Sequence, residues 1–300
     1  MNNLILLLLF LLPLVPAGAA AEPGITVRNT HFSVRLANPA DPDPDGIFGC
    51  RFLRAGWITA LYPQGSSETL FHPDSVSRYH KAFGCTLEIL PPLKLAPGRQ
   101  LKPGIGIVEP HPVSRFQAKP VELFPWQTTV TESSGQTILT ARQNSGNHNG
   151  YAYELTVTVR IPANVPEIVW RLDLHNTGMR ELDLLSYLHP FFRFRSRHSC
   201  RFRLSGEIFR DVFRTLPNTQ EKYSARSRIH EISARFQTDV GYTVTLGSGQ
   251  PLAQSVVWHN GKNCFALEPF VSLHIPPGER RIWDFRMSIR KDSVFSENHD

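Results

Sequence analysis

The sequence predicts an all-β protein built from antiparallel strands, and three observations carry that prediction. Several segments alternate apolar and polar residues with a period of two, most clearly residues 151–161 (YAYELTVTVRI) and 168–174 (IVWRLDL). Turn signals separate such segments: Asn149-Gly150 is a strong hairpin signal, and Asn176-Thr177-Gly178 leads into residues 182–194. No βαβ alternation is visible, and no stretch of ten or more residues makes a convincing amphipathic helix, so a sandwich or barrel is expected.

Taken in order, the chain opens with its one long apolar run, Leu4 to Pro16, followed by Ala17-Gly18-Ala19-Ala20-Ala21. A short apolar core ending in small residues reads as a secretory signal. Residues 1–21 are therefore expected to be a leader cleaved within 17–22, with residues 22–300 forming one β domain in a secreted or periplasmic protein. Pro13, Pro16 and the shortness of the run argue against a retained membrane anchor, so no stable membrane insertion is expected after cleavage. Residues 25–36 alternate loosely. Residues 38–46 (NPADPDPDG) and 91–103 read as loops inserted in one scaffold. Further strands are expected at 242–246, 253–258, 265–275 and 281–289. Residues 223–236 fit a helical face through Ile229, Ile232 and Phe236, or equally a strand.

Composition narrows the function. The chain has 300 residues, 41% of them hydrophobic, with 19 Phe to bury, which excludes a disordered protein. The net charge of +6 comes from an arginine excess, 25 Arg against 7 Lys. Such a balance suits anionic glycans or headgroups, but no basic tract, zinc finger or RNA-binding sheet signature supports a nucleic-acid partner. Cys50, Cys85, Cys200 and Cys264 form no CxxC pair, which argues against a zinc site; in an oxidising compartment they allow three full pairings, with free thiols the alternative. Asp41-Pro42-Asp43-Pro44-Asp45-Gly46 imitates the start of a calcium loop, but Phe52 stands where the closing Glu would be, so it reads as an acidic turn.

Two residues stand out chemically. His189 lies among aromatics in Tyr187-Leu188-His189-Pro190-Phe191-Phe192, and Glu268 lies in the apolar run Phe265-Ala266-Leu267-Glu268-Pro269-Phe270. A carboxylate in such a run is costly unless paired, and burial raises its pKa toward the range a general base needs near neutrality. A packed structural histidine is the bland alternative.

Four stretches add a resemblance. They are Gly49-Cys50-Arg51-Phe52 with Gly56-Trp57-Ile58; His80-Lys81-Ala82-Phe83-Gly84 leading to Glu88, then residues 102–108 (KPGIGIV); His189-Pro190-Phe191-Phe192; and Glu268-Pro269-Phe270 with Pro276-Pro277-Gly278-Glu279. Together they resemble the aldose 1-epimerase (galactose mutarotase-like) superfamily, as a divergent member. The resemblance implies an antiparallel β-supersandwich, a sugar or glycan as partner, His189 as general acid and Glu268 as general base, and no metal or other cofactor. It also implies substrate binding by His80, with His72 as the alternative, and by Arg51. Trp57 is either a platform for a pyranose ring or a core residue, and Arg51 either binds sugar oxygens or makes a surface ion pair.

Two departures from the family pattern bear on the site. Leu188 replaces an Asn that often precedes the motif His, which suggests one lost sugar hydrogen bond. The family's substrate-binding Asp has no clear counterpart, Asp211 and Asp239 being the positions considered. Arg193, Arg195 and Arg197 would share one strand face just after His189. That face is either a solvated edge or a subsite for an anionic sugar. The sequence thus points to an exported aldose 1-epimerase-like isomerase acting on a free sugar, neutral or acidic. The rival readings are a non-catalytic carbohydrate-binding envelope protein on the same scaffold and another glycan enzyme on a related sandwich. Oligomeric state is left open.

Overall fold

The computed structural model describes residues 24–42, 48–77, 80–95, 97–112, 118–205, 207–224 and 229–292. The leader expected at residues 1–21 and the central part of the acidic turn lie outside them. Strands dominate, every pairing is antiparallel, and the helical content among the described residues is two short 3-10 turns.

Two large sheets form the body. The first runs, in spatial order, Ile25–Arg28, Phe32–Leu36, Leu53–Pro63, Cys85–Leu90, Leu182–Pro190, Cys264–Ile275, Gln254–His259 and Gln220–Ser224, with Phe192–Arg193 also paired to Cys264–Ile275. The second runs Arg210–Asp211, Arg201–Leu204, Glu231–Gln237, Gly241–Gly247, Arg280–Lys291, Glu167–Asn176, Tyr153–Pro162, Gln136–Asn144 and Gln127–Ser133. Their inner faces share one core, in which Leu87, Leu188 and Leu267 of the first sheet meet Val157, Trp170 and Phe285 of the second. Trp170 ties the layers together by donating its indole N–H to the Gly56 carbonyl at 2.8 Å.

Burial explains the sequence patterns. Tyr153–Pro162 alternates because one face meets the core and the other meets solvent. Leu182–Pro190 and Cys264–Ile275 each alternate at one end only, and at the other they are buried on both faces. That doubly covered half of the first sheet holds His189 and Glu268, which is why both sit in apolar runs.

The structure resolves or corrects several expectations. Residues 25–36 form a hairpin of two strands rather than one. The ambiguous 223–236 region supplies the end of one strand and most of another, Glu231–Gln237, because cross-strand pairing to Gly241–Gly247 outweighs the weak helical pattern. The Pro-rich stretch 91–103 is not a plain loop. It carries Leu93–Lys94 and Gln100–Lys102, which join Gly106–Pro110 and Ala118–Leu123 in a four-stranded sheet. All four cysteines are free thiols, three of them buried.

Candidate active site

Register brings the site together. In the first sheet Tyr187 pairs with Glu88 on one side and Phe270 on the other. Side chains two residues apart share a face, so two residues further along each strand His189 and Glu268 stand opposite each other. Their Nε2 and Oε1 atoms are 3.2 Å apart and both side chains are buried. The imidazole stacks on Phe191 with ring centroids 4.1 Å apart and meets the edge of Phe52 at 5.4 Å.

The pair opens onto a cavity of about 310 Å³, within the range of small-molecule pockets. Arg51 and His80 line it from the Leu53–Pro63 and Cys85–Leu90 side of the sheet. Trp258, Asn218 and Gln220 line it from the opposite side, with His189 and Glu268 between. Gln220 is the cross-strand partner of Trp258, and Asn218 holds a left-handed turn (φ 63°) with its N–H on the His259 carbonyl at 2.8 Å.

Burial separates the two groups electrically. It pushes the Glu268 carboxyl up to about 8, partly opposed by the charge of Arg51. It pulls the His189 imidazole well below its usual value, and the charge of Arg51 pulls the same way. At neutral pH the pair therefore carries one proton between carboxyl and imidazole, held mainly on Glu268. A pair with one proton to give and one lone pair to receive is equipped for concerted acid–base work.

Arg51 is held beneath the cavity wall. Its Nε donates to Glu88 Oε2 at 3.1 Å, its Nη2 to the Tyr187 hydroxyl at 3.2 Å, and its Nη1 bonds His80 Nε2. Lys102 Nζ donates to the other Glu88 oxygen at 2.9 Å. Burial alone would raise the Glu88 pKa, but the charges of Lys102 and Arg51, with the Tyr187 hydroxyl, hold it at about 2. Burial and the Arg51 charge push His80 down to about 3, so it is neutral.

Four of the residues expected at the site, His189, Glu268, His80 and Arg51, converge on this cavity. Others do not. Trp57 is fully buried, donates its indole N–H to the Phe83 carbonyl at 3.0 Å, and packs edge-on against Phe48 and Phe52. It is a core residue; the indole on the cavity wall is Trp258. Arg193 and Arg195 do not line the cavity, and the expected arginine face does not form. The strand ends at Arg193, Arg195 turns out to pair with Glu68, and Arg197 begins a 3-10 turn. Asp211 caps that region's second 3-10 turn and Asp239 bonds Ser66 and Thr238, so neither reaches the cavity. His72 bonds the Asp74 carbonyl and the Asn263 amide instead. Leu188 alternates into the main core with no exposure, so a residue at that position faces away from the cavity whatever its polarity.

Tyr187, Lys102, Trp258, Asn218 and Gln220 were not singled out from the sequence. Tyr187 was within reach, two residues from His189 and hence on its face. Glu88 carries the same signal as Glu268, a carboxylate inside an apolar strand (CTLEIL). The cavity-wall amides come from distant segments and gave no local signal, and nothing in the KPGIGIV stretch pointed from Lys102 to Glu88.

No family model matches the chain, and no curated protein matches it. Solved structures do. The Slr1438 protein of Synechocystis sp. PCC 6803 superposes with a TM-score of 0.63 at 13% identity, over 90% of this chain and 96% of that one. A galactose mutarotase-like protein from Lactobacillus casei ATCC 334 gives 0.57 at 11% identity, over 89% and 100%. A galactose mutarotase related enzyme from Lactobacillus acidophilus gives 0.58 at 10%, over 91% and 99%. These coverages extend over nearly the whole of both chains. The architecture is that of the galactose mutarotase-like sandwich, the fold that the sequence resemblance implied.

Proposed function

We propose that the protein interconverts the anomers of a free aldose, with His189 and Glu268 as the acid–base pair. The observation that carries this reading is the buried carboxyl–imidazole pair, 3.2 Å apart, facing a cavity with an arginine on one side and an indole with two amides on the other. In the ion-pair form of the couple, Glu268 accepts the proton of the C1 hydroxyl while His189 gives its proton to the ring oxygen. The C1–O5 bond breaks, leaving the open aldehyde with a C5 hydroxyl. Rotation about C1–C2 presents the other carbonyl face. The C5 hydroxyl then closes the ring, returning its proton to His189, and Glu268 protonates the new C1 oxygen. The couple ends as it began.

Trp258 offers an apolar face to the pyranose, and Arg51, Asn218 and Gln220 offer donors to its hydroxyls. The acidic-sugar form of the reading now rests on Arg51 rather than on Arg193 and Arg195, and residues 1–21 as a leader would place the reaction outside the cytoplasm.

The test is NMR exchange spectroscopy of anomer interconversion over a panel of neutral aldoses and uronates. Wild type should accelerate exchange for at least one sugar, and His189→Ala and Glu268→Gln should each reduce that acceleration by about 10²–10⁴-fold. Binding with no acceleration by wild type would make the protein a carbohydrate-binding module on the same scaffold and would overturn the catalytic reading.

A further inference from the structure

We propose that Glu88, Tyr187 and Lys102 form a positioning layer whose task is to hold the Arg51 guanidinium at the cavity wall in one orientation, an inference that rests on the sugar-site reading above. The layer is assembled from three separate places. Glu88 comes from Cys85–Leu90, Tyr187 from Leu182–Pro190, and Lys102 from the end of Gln100–Lys102 in the small sheet.

Arg51 precedes its strand, in a turn, where a long side chain has many rotamers to lose. Here different guanidinium nitrogens are assigned to different partners, Nε to Glu88, Nη2 to Tyr187 and Nη1 to His80, while the Phe52 ring lies 4.3 Å from the guanidinium carbon. Such a set fixes both the position of the group and its rotation. His80 completes it as an acceptor. With Nε2 facing an arginine donor, its proton belongs on Nδ1, which lies 3.2 Å from Ser77 Oγ.

The cost of the arrangement argues for a use beyond stability. Glu88, Tyr187, Lys102 and Arg51 are all buried, and one carboxylate stands between the Arg51 guanidinium and the Lys102 amine. Apolar residues of similar volume would cover this face of the sheet at least as stably. The neighbouring part of the same face is covered in that way by Val256 and Phe270, with Leu90 and Leu185 packed alongside. What apolar packing cannot do is present an oriented donor group to a ligand. A guanidinium already ordered before the sugar arrives removes an ordering cost from binding.

The test uses the full-length protein and two independent readouts. Sugar affinity, followed by Trp258 fluorescence, should fall about tenfold in Tyr187→Phe. The same substitution in an Arg51→Met background should have no further effect, because the hydroxyl acts through the guanidinium. Equal losses in both backgrounds would overturn the proposal, since Tyr187 would then touch the sugar or support the fold generally. The second readout needs no ligand. The Arg51 Nε–Hε proton, identified by its absence in Arg51→Met, should give a slowly exchanging NMR signal that survives in Tyr187→Phe and is lost in Glu88→Gln. If that signal exchanges freely in wild type, the positioning layer is wrong. If it is protected while no sugar in the panel binds, the layer stands and the sugar-site reading fails.

Discussion

Glu268 and His189 are each displaced from their ordinary pKa in the direction that favours the neutral form, and the two displacements have opposite effects on stability. An unfolded Glu268 would ionise near 4.5 and an unfolded His189 near 6.5. The folded Glu268 keeps its proton to about 8, while the folded His189 stays neutral well below 6.5. Just below 6.5 the native pair holds one proton more on Glu268 and one fewer on His189 than the unfolded chain, so the two contributions oppose each other. From 6.5 to 8 only the Glu268 term remains. There the native state binds more protons, and stability falls as pH rises, by about 2 kcal/mol over that interval. Urea denaturation at a series of pH values should show this alkaline decline in wild type and lose it in Glu268→Gln. A decline of the same size in the variant would place its origin elsewhere. On the proposed acid–base reading the exchange rate should share the same limb and fall above pH 8, where Glu268 loses the proton it shares with His189.

At the scale of a strand, period-two alternation decides which departures matter. Leu188 and His189 are neighbours in sequence and point to opposite faces of Leu182–Pro190, one into the intersheet core and one into the cavity. The sequence suggested that Leu188 weakens the sugar site by replacing an Asn; the fold removes that suggestion. Leu188→Asn should destabilise the protein by about 3 kcal/mol, through a buried amide without partners and lost apolar packing. It should leave sugar affinity unchanged, a pairing that melts and titrations on the same sample can check; a gain in affinity would show that the side chain reaches the ligand. The same geometry explains the failed arginine face. Alternation was extended through Arg193, Arg195 and Arg197, but the chain leaves the sheet after Arg193, and the later guanidiniums bind acids or rings locally. Arg195 pairs with Glu68, Arg214 with Glu221 and Arg235 with Asp292, and Arg197 lies over Phe213. Much of the arginine excess just after His189 is thus spent on surface contacts away from the cavity.

Over the whole molecule, the two sheets meet so closely that backbone takes part in the contact. Gly56 has φ +78°, and a Cβ there would lie 2.9 Å from Trp170 Cδ1, the same indole whose N–H bonds the Gly56 carbonyl. Gly56→Ala should therefore cost about 2–4 kcal/mol, from left-handed strain together with displacement of Trp170, read as a lowered urea midpoint. A near-neutral result would mean that the sheets can separate slightly without loss. By itself the sequence determined the all-β class and most of the long strands, and it marked His189 and Glu268, which the fold brings together, as anomalous in apolar runs. These are local properties: a period of two is written in consecutive residues, and a carboxylate in an apolar run is anomalous wherever the chain goes. The tertiary structure alone decided that Trp258 and not Trp57 walls the cavity, that Lys102 from a Pro-rich insertion reaches Glu88, and that Arg51 rather than the later arginines faces the cavity. Those outcomes depend on pairings between strands far apart in sequence, and which of two similar side chains reaches a shared space is fixed only when register and sheet order are set.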